Sequence, residues 1–114
     1  NFRIIFTLDG NENNHIKKQK EVVDKNKLPI DYIGNIDIEK VYEYYSKAIL
    51  IFPSYIETFG LPLLEAKMHH TPILASDCDF SHEILDDYDK VEFFDPFNCN
   101  VLSIKMENIL RTAN

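Results

Sequence analysis

"AILIFPSYIETFGLPLLEAKMHHTPILASD", residues 48–77, reads as strand, loop, helix and strand. Its first run, "AILIFPS" (48–54), and its last, "TPILASD" (71–77), are apolar without interruption. Strands buried on both faces read this way, whereas half-buried strands alternate. Between them a helix is expected over 60–69. Gly60 stands at its mouth and Pro62 in its first turn, where a missing N–H costs nothing.

Working outward, "FRIIFTL" (2–8), "IDYIG" (30–34) and "KVEFFD" (90–95) supply three more strand-like runs. Helix-like stretches fall at 13–26, 37–47, 80–86 and 99–111. In the second of these, Val41, Tyr44, Tyr45 and Ala48 form an i, i+3, i+4, i+7 stripe. In the last, Val101, Ile104, Ile109 and Leu110 do so more loosely. Strand and helix alternate with no hairpin signal such as Asn-Gly. The expected fold is a Rossmann-like α/β structure: a parallel sheet of about five strands, helices on both faces, right-handed connections. No repeat, low-complexity tract or linker marks a domain boundary. In such sheets ligands bind beyond the carboxyl ends of the strands, which directs attention to the loops after Leu8, Ile33, Pro53 and Ser76.

Composition narrows the function classes. The 114 residues are 45% hydrophobic, enough for a compact core. The net charge of −7 argues against a nucleic-acid surface, which needs clustered Lys and Arg. The run Lys17-Lys18-Gln19-Lys20 reads as a solvated helix face. Cys78 and Cys99 match no metal spacing and read as free thiols of a reducing compartment. No run approaches the roughly 20 apolar residues of a membrane span. A cytoplasmic, soluble domain is expected. The chain opens at Asn1 directly into a strand-like run, and the expectation is that it was cut from something longer.

The loop after Pro53 carries the chemistry. A helix beginning at Gly60 directs unpaired, partially positive N–H groups toward the strand ends. Gly60 has no side chain, so a ligand can approach the main chain there. Together these make an anion site suited to a diphosphate. Glu65 borders a stripe of Leu61, Leu64 and Met68, where a carboxylate is costly unless hydrogen-bonded. A ribose diol offers two donors. Glu57 lies before the helix, beside the anion site but not in it. Structural readings stand beside these: Glu57 as a favourable charge near a helix N-terminus, worth tenths of a kcal/mol to about one, Glu65 as a solvated surface acid, Gly60 as a turn residue only.

The stretch "PSYIETFGLPLLEA" (53–66), followed by "TPILASD", resembles the group 1 retaining glycosyltransferases, whose pattern is like "PS-x-x-E-x-FG-x-P-x-x-EA". "DYIGNID" is similar to that family's strand and glycine loop, and "EKVYEYYSKAILIFPS" to the helix and strand before the motif. "SHEILDD" resembles a Glu-containing turn, and "FFDPFN" the stretch before a closing helix. Nearly all of the chain is covered. The resemblance implies the C-terminal, donor-binding half of a GT-B fold: residues 1–114 as part of the nucleotide-sugar domain, with the N-terminal acceptor domain absent. It further implies a catalytic role for Glu57 toward the transferred sugar. Main-chain N–H groups around Phe59, Gly60 and Leu61 would hold sugar hydroxyls and phosphate oxygens, and Glu65 the ribose. Gly34, Asn35 and Ile36 would lie near the nucleobase. No cofactor or bound metal is expected, in keeping with the absence of an Asp-x-Asp triplet. The implied partners are the nucleotide-sugar donor and the enzyme's own N-terminal domain, and the reading admits peripheral membrane association through the missing part.

The sequence departs from the pattern in places. The Arg and Lys that neutralise the diphosphate in this family lie on an earlier strand and helix. His70 replaces the glycine after the motif helix, a position that commonly takes left-handed backbone. His69-His70 reads as a helix end with Pro72 downstream rather than as a metal or acid–base pair. "TLDG" (7–10) keeps one glycine where two are common. Competing readings are a glycosidase using Glu57 and Glu65 as paired carboxylates, a receiver or degenerate nucleotide-binding module, and a GT-B epimerase.

Overall fold

The computed structural model describes residues 2–56 and 59–113. Every expected element is present, in strictly alternating order: β1 (Ile4–Phe6), α1 (Asn14–Lys25), β2 (Ile30–Tyr32), α2 (Ile38–Lys47), β3 (Leu50–Phe52), α3 (Leu61–Met68), β4 (Ile73–Ser76), α4 (Asp79–Leu85), β5 (Val91–Phe94) and α5 (Cys99–Ala113). All described strand pairings are parallel, as crossover helices require. The chain divides into two compact units, Asn1–Val41 and Tyr42–Asn114, the boundary falling inside α2 without any change of composition. Correspondingly, the strands expected as one sheet of about five pair among the described residues as two and three, β1-β2 and β3-β4-β5.

In the first unit Ile4, Ile5 and Phe6 stand opposite Ile30, Asp31 and Tyr32. Helix α1 starts because the Asn13 side chain accepts the Ile16 N–H at 2.9 Å. It packs through Val23, the buried residue of its inward face. Lys17 and Lys18 are exposed, as expected of a solvated face, while Lys20 pairs with Asp24 at 2.8 Å. After β1 the Glu12 carboxylate accepts the N–H groups of Asp9 (2.8 Å) and Gly10 (3.0 Å). Those bonds hold its pKa below the usual carboxylate range, the Asp9 bond most of all. The loop with a single glycine is thus closed by the chain's own acid.

In the second unit Leu50, Ile73 and Val91 lie in register, as do Phe52, Ala75 and Phe93. Period-two alternation puts these six on one face. There they pack with Leu63 and Ala66 of α3 and with Phe80, Ile84 and Leu85 of α4. On the opposite face Leu74 and Phe94 are also buried. All four residues of β4 are buried, matching its unbroken apolar run. β3 is only half-buried, although its sequence is equally apolar. The reason is its position: among the described strands it pairs with β4 alone. Two helical stripes also need correcting. Ala48 of the α2 stripe lies beyond the helix and is exposed. In α5 Ile104 is exposed, while Leu102 and Met106 are partly covered.

Candidate functional site

The β3–α3 junction builds the site. Gly60 is buried, with φ 59° and ψ 36°, the left-handed region that favours glycine. Its carbonyl accepts the N–H groups of Leu63 (3.0 Å) and Leu64 (3.2 Å) and so caps the first turn of α3. Pro62 has no N–H. Leu61 therefore carries the one first-turn N–H not committed to Gly60 or absent, a sparser set of donors than the bare helix end implied by the sequence. The side of Gly60 that lacks a side chain is turned to α4. A Cβ there would lie 2.7 Å from Ile84 Cδ1 and 3.3 Å from Phe80 Cδ2. Glycine is thus required by backbone angle and by the neighbouring helix, not by a ligand approaching from that side.

Helix α3 presents a different face from the one expected. Leu63 and Ala66 are fully buried, whereas Leu61, Leu64 and Met68, read as the apolar stripe, are exposed. Glu65 lies between these faces and is partly exposed. Among the described residues its carboxylate has no hydrogen-bond or ion-pair partner. It stands near Tyr45 of α2, whose hydroxyl is pushed up to about 12, first by burial, then by the charges of Glu65 and Tyr42. A ring cluster adjoins them: His69 lies 4.7 Å from Tyr42 and 5.6 Å from Tyr45, centroid to centroid. The Glu65 carbonyl is 2.8 Å from His69 Nδ1, the nitrogen that must carry the proton for this bond. The sequence reading missed this cluster, although the i, i+3 spacing of Tyr42 and Tyr45 was available to find it.

The helix closes as expected. His70 takes φ 58°, its N–H bonds to Lys67 O at 3.1 Å, and Thr71 N–H bonds to Ala66 O at 3.0 Å. This is a Schellman closure with histidine in the glycine position. Phe59 is exposed at the loop. Glu57, the expected catalytic acid, lies outside the described residues, as does Thr58. Gly34, Asn35 and Ile36 belong to the first unit. Gly34 has φ 72°, and its N–H bonds to Leu8 O at 3.0 Å. Asn35 is exposed and Ile36 half-buried.

Helix α4 flanks this junction and is itself pinned. His82 bonds Asp86 through Nδ1 and Asp77 through Nε2, both at 2.6 Å. Its ring stacks on Phe93 at 3.9 Å. Both nitrogens are occupied, and among the described residues no His, Cys, Asp and Glu cluster is arranged to hold a metal ion. The Asp86 and Asp77 bonds raise the His82 pKa above the ordinary imidazole value of about 6.5. Protonation therefore favours the folded state. The stabilisation is complete below about pH 6.5 and is lost as pH rises through the raised folded value. Denaturant unfolding should show a stability margin over His82→Phe that is steady from about pH 5 to 6.5 and shrinks above it. A margin growing with pH would contradict the assignment.

Cys78 and Cys99 are both free. Among the described residues no helix is long and apolar enough to cross a membrane. The architecture is that of Rossmann-like α/β proteins, with the Gly60 junction at the carboxyl end of a parallel strand. The sequence profile of the family described as glycosyl transferases group 1 matches residues 3–114, and the chain belongs to that family. A curated relative, the O-antigen chain mannosyltransferase RfbU of Salmonella typhimurium, is 36% identical over 69 residues. The match covers 59% of this chain and 20% of the relative, so the matched stretch spans about a fifth of that protein's length. No solved structure matches.

Proposed function

We propose that the chain is the donor-binding part of a retaining glycosyltransferase that moves a sugar from a nucleotide-sugar to a glycan or glycoconjugate acceptor. Residues 1–114 are then part of the C-terminal half of a two-domain enzyme whose acceptor half lies elsewhere in the parent. The observation that carries the reading is the Gly60 turn opening α3 after β3, with the Glu65 carboxylate, partly exposed and without a hydrogen-bond partner among the described residues, one turn further on. Phe59, Gly60 and Leu61 supply main-chain N–H groups to the diphosphate, and the α3 N-terminus stabilises charge on the departing nucleoside diphosphate. Glu65 accepts the ribose hydroxyls, and Glu57 faces the sugar as it gains oxocarbenium character. No metal is given a role. Because the relative is named a mannosyltransferase, mannose is the first sugar to test. The reading assigns the enzyme to the cytoplasm, peripherally at the inner face of a membrane.

Calorimetric titration with UDP, GDP and ADP tests it. One nucleotide should bind, and Glu65→Ala should weaken that binding by roughly tenfold, the worth of a charge-assisted hydrogen bond or two. Unchanged affinity in Glu65→Ala removes Glu65 from the site. A second reading, a degenerate module without catalysis, is favoured by the first-turn N–H groups of Leu63 and Leu64 being consumed by Gly60. A parent protein that binds no nucleotide supports it.

A further inference from the structure

We infer that Ile84 of α4 is a positioning residue that sets where the N-terminus of α3 stands, an assignment that rests on reading that terminus as the donor-phosphate end. Ile84 meets α3 twice. Its Cδ1 lies 2.7 Å from where a Gly60 Cβ would be, so the tip of the side chain fills the space beside the Gly60 Cα. Its carbonyl accepts Lys67 Nζ at 2.9 Å, and Lys67 sits in the last turn of the same eight-residue helix. Lys67 also reaches Asp87 at 2.6 Å, just past α4. One residue thus touches both ends of α3, by side chain at the start and by backbone at the finish.

Phe80 adds the second contact on Gly60 from one turn earlier in α4. Its ring stands edge-on to Phe52 of β3, centroids 6.2 Å apart, and β3 is the strand that delivers the site loop. Gly60 in turn holds Leu63 and Leu64 through its carbonyl. Any shift of Gly60 therefore moves its own N–H and that of Leu61, and disturbs the first turn that Leu63 and Leu64 close. A helix end built to meet a diphosphate must be held to a fraction of an ångström, and side chains outside the contact shell do that holding.

A size-exchange cycle tests the assignment. Ile84→Val deletes Cδ1, and Gly60→Ala inserts a Cβ into the same space. Amide hydrogen exchange is followed at Leu63 and Leu64, with Ile73 and Asp77 of the sheet as references, and UDP, GDP and ADP are titrated calorimetrically into each variant. Ile84→Val should speed exchange at Leu63 and Leu64 about three- to tenfold, leave the sheet amides unchanged, and weaken the binding nucleotide severalfold. Gly60→Ala should be worse alone, and the combined variant should recover toward Ile84→Val. Uniform exchange changes across the unit, or a combined variant no better than Gly60→Ala, would overturn the role of Ile84. Should Gly60→Ala not fold, the Ile84→Val arm decides. A protein that binds none of the nucleotides removes the donor reading, and the exchange pattern alone then decides whether Ile84 places α3.

Discussion

Gly60→Ala lowers the unfolding free energy by about 2–5 kcal/mol, read as a shift of the urea midpoint at constant slope. Two costs combine. An alanine held at φ 59° sets its Cβ against backbone, about 1–2 kcal/mol. The new methyl also meets Ile84 Cδ1 at 2.7 Å, and forcing a packed interface apart costs about 1–3 kcal/mol more. Gly34→Ala separates the two. Gly34 has φ 72°, but its nearest neighbour, Asp9 Cβ, would be 3.9 Å from the added carbon. Only the backbone cost applies there, about 1–2 kcal/mol. Equal losses in the two variants would mean that α4 does not press on Gly60.

Leu63→Ala has the other large effect, about 2–5 kcal/mol. Leu63 has no solvent exposure and packs with Ala66, Ile73, Ala75 and Leu85 where α3 meets the sheet. The substitution loses apolar burial and leaves a hole that the surrounding strand and helix residues fill only in part. Leu64→Ala is the matched control. Its side chain is 43% exposed, so under about 1 kcal/mol is expected. The pair decides which face of α3 is inward. It also bears on function, because the Leu63 anchor holds the backbone that carries Glu65.

The contrast between these two leucines shows where sequence and structure parted. Strand and helix positions were legible throughout, since continuous apolar runs separated by helix-length crossovers admit few other arrangements. The inward face of α3 was not legible. "LPLLEAKM" is apolar on several sides, and an eight-residue helix is too short for periodicity to choose among them. The half-burial of β3 was hidden because pairing with β4 alone among the described strands leaves no mark on composition. His70 in left-handed backbone was foreseen, since a helix end before Thr71-Pro72 leaves few alternatives. Gly60 was identified as a turn glycine, but its second reason lies in Phe80 and Ile84, twenty or more residues downstream. Only the packed structure brings them together. The Asp77–His82–Asp86 bracket was half legible, through the i, i+4 spacing of His82 and Asp86.

The account turns on what meets the start of α3. The most direct measurement is a ¹⁵N chemical-shift titration with UDP, GDP and ADP, followed residue by residue. The account predicts that one nucleotide produces its largest shifts at the Phe59, Gly60 and Leu61 amides, with Glu65 next, and that the Glu65 response disappears in Glu65→Ala. Saturable binding whose largest shifts fall away from the Gly60 junction, with Phe59 to Leu61 unmoved, would contradict it.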